Sequence, residues 1–235
     1  MTDESASLTE PWIAKHEAAY PYAYDKGGKL KRWFGVSGIP HAVLVDATGT
    51  VVWRGHPATL RESEIEEHLA GTLARPLYEW PAAAKGVAKR LTKGDLGGAL
   101  EDARALSEDD GGPAIAAQIQ GLIDGRVAKV EGWLSAGNFL DVLEAGGDLA
   151  KGLGGHEAQA KVQGLVAQVE ANKDAKSVVD AQKRIRKLRA KDPSKRKDIE
   201  RQVEDLEKIR DEMRGTYAAE EAGAYLEQLR EKLMR

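Results

Sequence analysis

The chain has 235 residues, 42% hydrophobic and 31% charged, which allows one large domain or two small ones with the balance of a globular, helix-leaning protein. Its net charge of -3 is shared evenly: residues 1–75 hold 8 Lys/Arg and 10 Asp/Glu and the remainder 27 and 28, which supports neither bulk polyanion binding nor a charged tail. The chain contains no cysteine, which excludes disulfides, thiolate metal sites and cysteine nucleophiles.

The start, Met1-Thr2-Asp3-Glu4-Ser5, is acidic and lacks an apolar signal segment, and no run of about 18 apolar residues occurs. As it stands the sequence reads as cytoplasmic, with no membrane span. Ser7 to Pro11 opens a short amphipathic helix, with Thr9 as a candidate N-cap, Pro11 near the first turn, and Trp12 and Ile13 facing inward. Tyr20 to Tyr24 alternates aromatic and small residues as a half-buried strand does. Asp25-Lys26-Gly27-Gly28 is a turn, and Lys29 to Phe34 a short helix closed by Gly35, with Trp33 and Phe34 expected in the core.

Val36-Ser37-Gly38-Ile39-Pro40-His41 then leads into the apolar run Ala42 to Val45, the polar turn Asp46 to Gly49, and a second β-rich run, Val51 to Gly55. Two such runs around a turn ending in Gly predict a hairpin with Gly49 at positive φ. Pro40 cannot donate to a ladder, so it belongs at a strand's first residue or edge, and a cis Ile39-Pro40 bond would fix a sharp entry. The four apolar residues of the first run predict a strand covered on both faces. Ser63 and Glu66 resemble a capping box for a helix over Glu64 to Leu73.

The order of these elements resembles the second half of the thioredoxin fold, in its TlpA/peroxiredoxin-like disulfide-reductase branch, over residues 8–73. Gly38-Ile39-Pro40 matches the tripeptide that precedes an apolar strand in that family. Asp46 to Gly49 matches the family's Asp-x-x-Gly turn, and Val51 to Gly55 its second antiparallel strand. The resemblance implies a peptide-contacting rim at Ile39, Pro40 and His41. In that family a strand, a Cys-x-x-Cys helix and a second strand precede the matching segment; this chain has no cysteine, and thiol-disulfide exchange needs a thiolate. A sheet without its central strand would expose unpaired backbone, so something is expected to fill the gap.

Beyond Arg75-Pro76 the pattern changes to helices separated by Gly-rich turns: Pro81–Leu91, Gly98–Leu106, Ala114–Leu134, Phe139–Leu149, Glu157–Ala171, Ala175–Ala190, Ser194–Arg214 and Ala218–Leu233. Lys93 to Ala103 is similar to the second half of a tetratricopeptide unit, with an echo at Gly137-Asn138-Phe139, but the full consensus is absent, so irregular αα-hairpins are expected. Ile199, Val203, Leu206, Ile209 and Met213, and Ala222, Leu226, Leu229 and Leu233, recur at helical steps and predict helix-on-helix packing, with a partner helix as the alternative. Thr216 is a candidate N-cap for the last helix.

The basic run Lys183, Arg184, Arg186, Lys187, Arg189, Lys191, Lys195, Arg196 and Lys197 contains only Asp192 as an acid. It lacks interspersed aromatics for base stacking and alternates with Ile185, Leu188 and Ile199, so it reads as a solvated helix face and no nucleic acid partner is expected. His16, His41, His56, His68 and His156 show no metal-ligand spacing, and no phosphate loop or nucleophile elbow occurs. Hence no catalytic residue, no metal and no cofactor are expected.

The expected architecture is α/β plus all-α: an incomplete thioredoxin-like segment, 1–75, lacking its first strand, Cys-x-x-Cys helix and second strand, then a helical domain of αα-hairpins, 76–235. The expected role is redox-inactive protein binding or scaffolding through the helical region. The alternatives are an N-terminally shortened thiol-disulfide oxidoreductase and a self-associating homodimer.

Overall fold

The computed structural model describes residues 4–17, 23–36, 38–47, 49–69, 72–191, 193 and 195–234. The chain divides into two compact units, Met1–His68 and Leu69–Arg235, so the described residues 69 and 72–75 belong with the helical part. The protein is 68% helical and its only sheet among the described residues is one antiparallel pair, so helix packing dominates the fold.

In the first unit, α1 spans Ala6–His16 with Ser5 as N-cap and Pro11 inside the helix. Thr9 is not the cap: it lies in the second turn, and its hydroxyl donates back to the Ser5 carbonyl at 3.0 Å, as a threonine inside a helix does. Trp12 faces outward rather than inward, 49% exposed, with its ring centroid 4.5 Å from that of His16. Most of the strand expected over Tyr20–Tyr24 lies outside the described residues; Tyr24 itself makes a single β-bridge.

Helix α2, Lys29–Trp33, is held at both ends by backbone chemistry. The carboxylate of Asp25 accepts the N–H groups of Leu30 (3.0 Å) and Lys31 (2.8 Å), two donors a helix start leaves unsatisfied. At the other end Gly35, at φ 67°, lets its own N–H reach the Arg32 carbonyl and that of Val36 reach Lys31.

The hairpin forms as expected. Strand β1, Ala42–Val45, pairs with β2, Val51–Gly55, in the register Ala42 to Gly55, Val43 to Arg54, Leu44 to Trp53 and Val45 to Val51, with a bulge between Leu44 and Val45. Gly49 has φ 83°, and Asp46 closes the turn: its N–H donates to the Thr50 carbonyl (2.9 Å) and its carboxylate accepts the Thr50 N–H (3.0 Å). β1 is not covered on both faces. Its residues are half-buried and Val45 is 42% exposed, because only β2 pairs with it among the described residues. Helix α3 is a single turn, Glu62–Glu66, shorter than the expected Glu64–Leu73. Its cap is made by Glu64, which accepts the Arg61 N–H at 2.9 Å, not by the pair Ser63 and Glu66.

The second unit opens with two short 3-10 turns, Leu77–Glu79 and Ala82–Ala84. Helices α4 (Lys85–Thr92), α5 (Leu96–Arg104) and α6 (Gly112–Ala136) follow. Next, α7 (Phe139–Asp141) continues through a π-helical turn, Val142–Gly146, into α8 (Gly147–Gly152), and α9 (Ala158–Ala171) folds back. The spine is α6, about 37 Å long at 1.5 Å per residue. Its buried stripe Ile115, Ile119, Leu122, Ile123, Val127 and Val130 keeps the three- and four-residue steps that hold one face inward. It packs against α5, α9 and the π-helical turn.

Two turns in this unit are built alike. At Gly94 the φ is 77°, and the N–H groups of Gly94 and Asp95 donate to the carbonyls of Leu91 and Arg90; at Gly137 the φ is 76°, and those of Gly137 and Asn138 donate to Leu134 and Trp133. In both, the next helix starts directly after the Asx residue. The sequence echo between these segments therefore corresponds to the same chain reversal, a left-handed glycine closing one helix and an Asx residue opening the next.

The α4–α5 hairpin meets the α8–α9 turn backbone to backbone. A Cβ on Gly97 would lie 2.5 Å from the Gly154 carbonyl oxygen, and one on Gly152 would run into the carbonyl of Gly94. Only glycine permits that approach.

The C-terminal helices α10 (Ala175–Arg189), α11 (Arg196–Glu212) and α12 (Tyr217–Met234) form a three-helix array in which α11 runs along α12. Its core is Ile185, Leu206, Ile209, Ala222, Leu226 and Leu229, all at most 1% exposed. Each large member contributes about 1.5–3 kcal/mol by burial. The predicted stripes thus meet each other inside the chain. Thr216 does not cap α12 with its side chain; its hydroxyl donates to the Met213 carbonyl at 2.7 Å.

Candidate functional site

The residues singled out from the sequence form a rim at the entry to β1. The Ile39-Pro40 peptide bond is cis. Ile39 is 86% exposed and Pro40 is exposed, while His41 is half-buried with its Nε2 enclosed and without a hydrogen-bond partner among the described residues. Across the ladder from Ala42 is Gly55, and the Trp53 ring lies so close to it that a Cβ there would sit 3.0 Å from a ring carbon.

The first unit as a whole has an inverted distribution of apolar groups. Leu8, Trp12, Tyr24, Leu30, Trp33, Ile39 and Val45 are all more than 40% exposed, and no hydrophobic residue of the first unit is buried among the described residues. Trp33, expected in the core, is 68% exposed, its ring touching that of Phe34 edge-on at 4.6 Å. The only buried residues described here are polar, Thr9 and Asp25. Large apolar side chains left exposed in such number are candidates for an interaction surface.

The ionisable groups with displaced pKa values serve the helices. The Lys31 and Leu30 N–H groups hold the Asp25 carboxyl below its ordinary value. Hydrogen bonding to Arg90, which also contacts Asp102, lowers Asp95, and the Asp95 carboxylate accepts the Gly98 N–H at 3.0 Å to cap α5. Burial raises Glu221, opposed by Arg189 and Arg186, and burial also raises the Tyr217 hydroxyl. Burial would lower Arg186, but its pairing with Asp141 together with the nearby Glu144 and Glu221 carboxylates raises it on balance.

The basic run proves largely self-neutralised at its arginines. Arg186 reaches Asp141 and Glu144 at 2.6 Å each, Arg184 lies 3.6 Å from Glu212, Arg189 3.7 Å from Glu221, and Arg196 2.9 Å from Glu200. His156 accepts the Ala158 N–H at Nδ1, so in the neutral ring Nε2 carries the proton toward Gln120 Oε1 at 3.4 Å. Among the described residues no group of three His, Asp or Glu side chains could hold a metal ion. No helix among them is long and apolar enough to cross a membrane.

Sequence reasoning missed the Asp25 cap and the buried polar pair Asn138–Gln182. The first carried a local signal, an aspartate with two glycines just before an apolar-basic turn. The second joins residues far apart in sequence and carried none. Comparison with protein-family models, curated proteins and solved structures finds no match to this chain.

Proposed function

We propose that this chain is a redox-inactive, thioredoxin-like binding protein, in which the helical unit is the scaffold and the first unit docks another polypeptide over its exposed apolar surface. One observation carries this reading: the first unit leaves its large hydrophobic side chains outside and, among the described residues, encloses none. Covering a single such side chain contributes about 1.5–3 kcal/mol, so a partner that covers several of them binds and stabilises the unit together. Ile39, Pro40 and His41 form one rim of that surface. This chain has no cysteine, so none of its own residues forms a disulfide with the docked polypeptide.

The test is hydrogen exchange of the β1 and β2 amides in the isolated chain and after adding polypeptide captured from its native source. Fast exchange alone and slow exchange with partner support the reading. Full protection in the isolated dilute chain removes it.

The same exposed surface favours a second reading. A segment carrying a Cys-x-x-Cys upstream on the same polypeptide would complete the first unit as a disulfide reductase of the TlpA type, with Ile39, Pro40 and His41 lining its substrate groove. Intact mass under non-reducing conditions separates the two. A native species near 25.5 kDa favours the binding protein, and a longer one bearing the Cys pair favours the reductase.

A further inference from the structure

The charges of the first unit are sorted by segment. Residues 26–34 hold Lys26, Lys29, Lys31 and Arg32, and the adjoining carboxylate, Asp25, is buried and committed to the α2 backbone. Residues 62–67 hold Glu62, Glu64, Glu66 and Glu67 beside the single cation Arg61, which lies 3.7 Å from Glu64. Among the described residues no ion pair within 4.0 Å engages Lys29 or Arg32 on the one side, or Glu62 or Glu66 on the other.

Each charged segment also offers an apolar centre. On α2, Leu30 and Trp33 are three residues apart and share a face, 43% and 68% exposed, with Lys29 and Arg32 beside them. On α3, Ile65 lies within one turn of Glu62 and Glu66 and is half-buried. The two segments are opposite in sign, and each carries an apolar residue beside its charges.

We infer that a second copy of this chain occupies the α2 face: Leu30 and Trp33 of one copy meet Ile65 of the other, with Lys29 and Arg32 opposite Glu62 and Glu66. The same contact repeats in the reverse direction, giving a closed two-fold pair. Basic against basic and acidic against acidic repel, which selects the crossed arrangement over the alternatives. This deepens the reading that the first unit works by docking a polypeptide, and it names that polypeptide.

The experiment is sedimentation of the full chain at about 0.05 M and about 0.5 M salt, which changes the screening length roughly threefold. It is run on the wild type, Lys29→Glu/Arg32→Glu, Glu62→Lys/Glu66→Lys, and a 1:1 mixture of the two variants. The wild type is expected to dimerise more tightly at low salt, each reversal to weaken the dimer about tenfold or more, and the mixture to restore a mixed dimer. Because a misfolded variant cannot be rescued by mixing, the mixture separates lost charge from lost fold. A wild type that stays monomeric at about 100 µM in low salt, or a dimer indifferent to both reversals, overturns the inference. A monomer whose β1–β2 amides are still protected by a foreign polypeptide overturns it while leaving the docking reading intact; a monomer that no polypeptide protects overturns both.

Discussion

Gln182 on α10 reaches across to the turn that opens α7 and donates from Nε2 to Asn138 Oδ1 at 2.7 Å, while its Oε1 accepts the Leu140 N–H at 3.1 Å. Both side chains are buried, 2% and 4% exposed, and Asn138 Nδ2 goes on to Asp141 at 2.7 Å. A second pair behaves alike: the Tyr225 hydroxyl donates to Gln202 Oε1 at 3.0 Å, and Gln202 Nε2 donates to the Leu188 carbonyl at 3.1 Å. These bonds fix the register of the C-terminal helices where apolar contacts alone would tolerate sliding.

Gln182→Leu strands the Asn138 carbonyl oxygen and the Leu140 N–H in the interior. It is expected to cost about 2–4 kcal/mol. Urea denaturation should show a lower midpoint with an unchanged slope.

Glycine substitutions should split by location. Gly97→Ala drives a methyl into the Gly154 carbonyl and is expected to cost about 1–3 kcal/mol. Gly121→Ala and Gly164→Ala sit inside α6 and α9 with open space around the new methyl, and are expected to stabilise by about 0.5–1 kcal/mol. Thermal midpoints moving in opposite directions would confirm the backbone contact.

The two units should respond unequally to large-to-small changes. Ile209→Ala, at 0% exposure, is expected to cost about 2–5 kcal/mol. Trp33→Ala, at 68% exposure, is expected to change the stability of the dilute, monomeric chain by less than about 0.5 kcal/mol. Far-ultraviolet dichroism against denaturant reads both.

Asp25 should matter at neutral pH and not in acid. Its folded pKa is lowered by the Lys31 and Leu30 N–H groups, so its stabilisation is present above the unfolded value of about 3.9 and disappears as pH falls through the folded value. Exchange of the Leu30 and Lys31 amides should be faster in Asp25→Ala than in wild type near neutrality, with the difference vanishing in strong acid.

Glu221 carries the opposite sign. Burial raises its folded pKa, so its contribution to stability is present below the ordinary carboxylate range and is lost as pH rises through the folded value. Relative to wild type, Glu221→Gln should therefore gain stability as pH rises from the ordinary carboxylate range through the raised folded value. A stability difference that does not vary with pH would show that Arg189 and Arg186 fully offset the burial.

The helical unit was legible because its signals are local. Gly94, Gly111, Gly137 and Gly215 all sit at positive φ where the sequence placed turns, and the stripes from Ile199 and Ala222 bury as drawn. The hairpin was legible too, through the Asp46 to Gly49 turn. Trp12 and Trp33 were not, since an aromatic at a helical step says which face is apolar but not whether anything covers it. Thr9 misled for a related reason: one hydroxyl can cap a helix or bond back inside it, and only the chain's path decides. The rim Ile39, Pro40 and His41 could be named from sequence, but its exposure depends on what surrounds it.

The contact between the Gly94–Gly97 and Gly152–Gly154 turns sets an order of events during synthesis. The first αα-hairpin emerges from the ribosome early, yet the backbone it seats against is made only when α8 ends. Until then α4 and α5 can pair with each other and with α6 but cannot dock at that seat, so the nascent helical unit stays open at one end. A pause in translation beyond Gly155 would give that end time to close before the C-terminal array arrives, whereas a pause ahead of Gly152 would hold it open to chaperones and proteases.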